Sequence, residues 1–137
     1  MPLMFLNGGA MRGGPLHHLL RGAQLVATVR TAPRYRFYSV GDRFPALAEI
    51  TGPSELGVSV AGELYNIPWE VLRESLLPAE PEELELGVIE LEDGSGSLSM
   101  IRRRSYAEPD GLYRDISEHA DWRGYTASAA RPVQAGE

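Results

Sequence analysis

Glycine is concentrated where this chain begins to fold. Met4-Phe5-Leu6 runs into Asn7-Gly8-Gly9-Ala10-Met11-Arg12-Gly13-Gly14 and then into Pro15-Leu16-His17-His18-Leu19-Leu20. An apolar run, a glycine-rich loop and a proline-started apolar segment predict strand, tight turn and helix N-terminus in immediate succession. Glycines let the backbone turn sharply there and approach a ligand closely. Amides of the loop and of the helix start can converge on an anion. Arg12 adds a charged fork suited to a carboxylate. Two readings stand at this point: an anion-binding loop, or a tight strand-to-helix turn without a ligand.

Two nucleotide loops are excluded. A P-loop needs Gly-Lys-Ser/Thr after its last glycine, whereas Gly13 is followed by Gly14-Pro15. The dinucleotide fingerprint needs Gly-x-Gly-x-x-Gly, and here the glycines come as adjacent pairs. A small carboxylate-bearing ligand fits better. Three histidines without cysteine partners or ligand spacing predict no metal site, and no cofactor motif is present. Ser39, Ser59 and Ser99 fall in expected strands, and neither a Gly-x-Ser-x-Gly motif nor an amidase Ser-Ser-Lys signature occurs. The net charge of −6 argues against nucleic acid and anionic membranes as partners. Without cysteine, a signal peptide or an apolar span, the expectation is a cytoplasmic protein.

The 137 residues suit one domain. It is expected over residues 1–125, with 126–137 as an Ala/Ser/Pro-rich tail. Alternation predicts strands over Ala23 to Thr31, Tyr35 to Val40 and Gly57 to Ile67. Phe44-Pro45-Ala46-Leu47 reads as a compact apolar loop, and Pro68 to Leu77 as a short helix. Leu84 to Glu92 and Leu98 to Arg104 read as a β-hairpin around Asp93-Gly94-Ser95-Gly96-Ser97. Asp115-Ile116-Ser117-Glu118 has capping-box spacing ahead of a helix carrying Trp122. Asp115, Trp122 and Tyr125 are expected to fold back over the core, closing a cavity or forming a subunit contact. With about six strands and irregularly placed helices, the chain predicts an α+β fold with a mixed, strongly curved or barrel-like sheet.

Three segments resemble the γ-glutamylcyclotransferase-like (AIG2-like) superfamily. They are Phe5-Leu6-Asn7-Gly8-Gly9-Ala10-Met11, Phe44-Pro45-Ala46-Leu47, and Val60-Ala61-Gly62-Glu63-Leu64-Tyr65-Asn66-Ile67. Within it the chain is most similar to the allophanate hydrolase C-terminal domain and its free-standing relatives. The carriers are Gly8 to His18, Arg30-Thr31-Ala32-Pro33-Arg34-Tyr35-Arg36-Phe37-Tyr38, and Leu86-Gly87-Val88-Ile89-Glu90-Leu91-Glu92-Asp93-Gly94. The similarity covers roughly residues 3 to 104. It implies a small mixed β-barrel with flanking short helices and one cavity.

The resemblance also implies a site. Asn7, Gly8, Gly9, Ala10 and Met11, with Arg12, would bind substrate through the loop. The superfamily's serine and asparagine are replaced by Gly9 and Ala10, so backbone must do the binding. The proton-handling glutamate falls on Glu80, with Glu82 and Glu83 near enough to compete. His18 would be a second catalytic group, and Tyr38 and Tyr65 cavity hydroxyls. The implied function is binding or processing of a carboxylated amide or urea-type compound, by decarboxylation, beside a separate amidase. One alternative is a γ-glutamyl cyclotransferase releasing 5-oxoproline through Glu80. Another is a non-catalytic amidase-associated subunit; a homodimer is also open.

Overall fold

The computed structural model describes residues 1–53, 55–103 and 111–130. Eight strands are described: β1 (Leu3–Leu6), β2 (Gln24–Arg30), β3 (Tyr35–Val40), β4 (Phe44–Glu49), β5 (Ala61–Asn66), β6 (Leu84–Glu90), β7 (Gly96–Arg102) and β8 (Tyr113–Asp115). They form two sheets, β2-β5-β1-β7-β6 and β4-β3-β8. Only β1 and β7 pair in parallel; the other pairs are antiparallel. The fold is therefore α+β with a mixed sheet, as the sequence predicts. Its strands do not close into a barrel: among the described residues β4 and β6 stay as edges of separate sheets.

Central β1 and β5 are buried on both faces, so Met4, Phe5, Leu64 and Tyr65 read as a nearly continuous apolar run. Phe37 and Leu47 from the second sheet pack into the same core as Phe5 and Leu64. Gly62 is required where the sheet is densest. A Cβ there would lie 2.4 Å from the Phe5 ring and 2.5 Å from the Leu6 carbonyl oxygen.

Four local expectations change. Phe44-Pro45-Ala46-Leu47 is strand rather than loop; as an edge strand, β4 can carry a proline that donates no ladder hydrogen bond. The segment after Pro15 is one 3-10 turn, His17–Leu20, rather than an α-helix. Pro68 starts a composite helical run: α1 (Trp69–Val71), a π-helical turn over Leu72–Leu76, and a 3-10 turn over Leu77–Ala79. Asp115 ends β8 instead of capping a helix; its Oδ1 accepts the Ser117 amide at 2.9 Å while Oδ2 takes the Arg36 guanidinium at 2.8 Å. The last helix, α2 (Trp122–Ala130), carries Trp122 and Tyr125 into the core. Arg104 and residues 131–137 of the expected tail lie outside the described residues. No helix described here is long and apolar enough to cross a membrane.

Candidate functional site

At Leu6, β1 leaves the sheet and the glycine-rich segment winds into successive turns. The Met11 amide donates to the Gly8 carbonyl at 3.1 Å, Gly14 to Met11 at 2.9 Å, and Leu16 to Gly9 at 2.9 Å. Such winding requires glycine at Gly14, whose Cβ would fall 2.1 Å from the Gly9 oxygen. Space is tight at Gly8 too, where a Cβ would meet the Pro45 ring at 2.8 Å. The amides of Gly8, Gly9 and Ala10 take no part in the turn's own hydrogen bonds.

Those three residues line a cavity of about 240 Å³ with Asn7 and Leu16. Arg43, Phe44 and Pro45 form a second wall, Ala79, Glu80 and Pro81 a third, and Phe5, Leu6, Leu84 and Met100 an apolar floor. Glu80 is placed by the end of the helical run, where its amide donates to the Leu77 carbonyl at 3.1 Å and the backbone turns extended. Burial pushes its carboxyl from 4.5 up to about 7. Asn7 Nδ2, also buried, has no hydrogen-bond partner among the described residues. Arg43 supplies a cation at the rim: its guanidinium lies 5.1 Å from the Phe44 ring centroid and 3.5 Å from a Glu83 carboxylate oxygen. An acid that titrates near neutrality, loop residues whose amides the turn does not use, and an arginine thus line one small space. That combination can bind a carboxylate and exchange a proton with what the carboxylate is attached to.

Of the residues singled out from sequence, the structure brings together Asn7, Gly8, Gly9, Ala10 and Glu80. The others lie elsewhere. Met11 is core. His18 is exposed and not among the cavity-lining residues; it is His17 that turns inward, its Nδ1 3.0 Å from the Ala10 carbonyl oxygen. Tyr38 lines a separate groove of about 590 Å³ between the two sheets, with the Arg102 guanidinium 5.0 Å from its ring. Glu82 is exposed, and Glu83 is buried against Arg43.

Arg12 and Tyr65 belong to a cluster around Glu63, which the sequence marks only as part of a strand. Glu63 is 1% exposed. Its carboxylate accepts the Arg12 amide at 2.8 Å, the Arg12 Nε at 3.1 Å, the Tyr65 hydroxyl at 2.8 Å and the Arg123 guanidinium at 3.2 Å. Burial alone would raise its pKa. The four donors prevail and hold it at about 2, while burial and Glu63 push the Tyr65 hydroxyl upward. One signal was available: a lone acid inside a strand buried on both faces must be paired. Arg43 carried no signal, because Gly41-Asp42-Arg43 reads as an ordinary turn. No cluster of potential metal ligands occurs among the described residues.

The model of the allophanate hydrolase C-terminal domain matches residues 2–127, well beyond the stretch that carried the resemblance in sequence. Among solved structures, c4763 of uropathogenic Escherichia coli is 33% identical, with a TM-score of 0.81 over 92% of this chain and 95% of that one. Kluyveromyces lactis allophanate hydrolase is 23% identical with a TM-score of 0.82; the match covers 93% of this chain and 21% of that enzyme. A mouse AIG2-like protein shares the fold at 21% identity and a TM-score of 0.56, over 82% of each chain. No curated protein is significantly similar in sequence. The chain belongs to the allophanate hydrolase C-terminal domain family.

Proposed function

We propose that this domain binds a small carboxylated amide or urea-type compound in the cavity beside Glu80 and releases carbon dioxide from it. The domain would work beside a separate amidase, in keeping with the similarity to one portion of Kluyveromyces lactis allophanate hydrolase. One observation carries the reading: the Glu80 carboxyl, raised by burial, shares its cavity with Gly8, Gly9, Ala10 and the side-chain amide of Asn7, whose Nδ2 has no hydrogen-bond partner among the described residues. In this scheme the loop amides, Asn7 and Arg43 hold the substrate carboxylate. A carboxylated amine loses carbon dioxide once its nitrogen is protonated. The N–C bond breaks, its electron pair stays on nitrogen, Glu80 supplies the proton, and water reprotonates Glu80. A group poised near 7 suits this work at neutral pH.

The same glutamate favours a second reading, cyclisation of a γ-glutamyl amine with Glu80 relaying the proton. The purified chain, assayed for carbon dioxide release from allophanate above the enzyme-free rate, separates the two. Release that disappears in Glu80→Gln supports the proposal. Release of 5-oxoproline from γ-glutamyl amines instead, equally lost in Glu80→Gln, would replace it with the second. Neither product would leave a non-catalytic, amidase-associated role.

A further inference from the structure

The cavity's loop wall and β4 wall are far apart in sequence, and both are tied to the same helix. Arg123 of α2 donates to the Arg12 carbonyl at 2.6 Å and to Glu63 at 3.2 Å, gripping the end of the glycine-rich loop. Two residues on, the Tyr125 hydroxyl donates to Asp42 Oδ1 at 2.5 Å. Asp42 sits at positive φ in the β3–β4 turn, directly before Arg43, Phe44 and Pro45, and its Oδ1 also accepts the Ser39 hydroxyl at 2.7 Å. Its geometry is therefore fixed, and so is the start of the second wall. The walls meet at Gly8 and Pro45, where no Cβ fits between them. Trp122 and Tyr125 seat α2 in the core, and the Ala61 amide donates to the Ala120 carbonyl just before the helix. Arg12 is 57% exposed on its own side chain, so its own position rests on these partners rather than on burial.

We infer that α2 is a clamp setting the shape of the Glu80 cavity, with Arg123 and Tyr125 as positioning residues for its two walls and Glu63 as the buried anchor. The clamp gives the cavity its purpose only if the proposed small-molecule function holds, but its geometry can be tested without any substrate. Loss of either tie lets the loop and the β4 wall separate, water reaches Glu80, and the amide donors lose their common aim.

The test uses the full chain with Tyr125→Phe, which removes one oxygen, and Arg123→Met, which keeps the stem and removes the donors. Three quantities are read: the Glu80 carboxyl midpoint by carbon-detected NMR, hydrogen exchange at the Arg12 amide, and binding of acetate as the simplest carboxylate probe. The expected result in each folded variant is a Glu80 midpoint lower by about one pH unit, a tenfold fall in its proton affinity. Arg12 amide exchange is expected to rise about tenfold as its opening becomes easier. A merely structural role would lower the melting temperature and leave the Glu80 midpoint in place; that outcome overturns the clamp. Should Arg123→Met fail to fold, Tyr125→Phe alone decides. A wild-type chain that ignores acetate while both variants shift Glu80 would refute the function proposed above and leave the clamp standing.

Discussion

Replacing Glu80 with glutamine should stabilise this protein in alkaline solution and do nothing for it in acid. An unfolded glutamate ionises near 4.5, whereas Glu80 in the cavity ionises near 7. Between those values the native state keeps a proton that the unfolded chain has released. Stability therefore falls as pH rises through that window and is flat above it. The size follows from the separation of the two pKa values: about 3 kcal/mol lost by pH 8, at 1.36 kcal/mol per pH unit. Glutamine has nearly the same shape and never ionises, so the variant escapes the loss. At pH 4 the two proteins should unfold together, and at pH 8 the variant should be about 3 kcal/mol more stable, roughly 10 °C in melting temperature. Urea unfolding at half-unit pH steps measures it. Equal stability at pH 8, or a difference that is the same at pH 4 and pH 8, would refute the argument that burial alone governs Glu80.

Three further outcomes follow from the same geometry. Glu63→Gln removes the charge that Arg12 and Arg123 face and should destabilise by about 3 kcal/mol in urea unfolding near pH 7, the size that follows from a carboxyl lowered from 4.5 to about 2. The wild type should lose that contribution as pH falls from 4.5 towards 2, and the variant should show no such loss. Gly8→Ala places a methyl group 2.8 Å from Pro45 and should cost about 1–3 kcal/mol while weakening acetate binding, readable by calorimetry. Asn7→Ala removes a buried donor that has no partner among the described residues, so it should change stability by less than about 1 kcal/mol yet reduce ligand affinity.

The strands legible in the sequence were those with clear alternation or a clear turn. β2, β3, β5 and the β6–β7 hairpin fall where β-branched and aromatic residues and the Asp93-Gly94 turn place them. β4 was hidden by Pro45, a residue that speaks against a strand unless one knows the strand lies at an edge. β8 is three residues long and pairs only with β3, so no local pattern could announce it. In the site, the Asn7–Ala10 loop stood out by its glycines alone, and Glu80 came from the resemblance, with Glu82 and Glu83 near enough in sequence to compete. Arg12 and Tyr65 were misread as lining groups for a physical reason: the partner that draws them away, Glu63, is brought there by sheet pairing. Arg43 and the α2 ties are contacts between segments far apart in sequence, and local patterns carry no information about them.

The most direct measurement is the pH dependence of carbon dioxide release from allophanate by the purified chain, with the enzyme-free rate subtracted at each pH. If Glu80 supplies the proton, kcat should be high below about pH 7, fall tenfold per unit above it, and vanish in Glu80→Gln at every pH. A flat profile, or full turnover in Glu80→Gln, would contradict the account of this cavity as a proton-donating site.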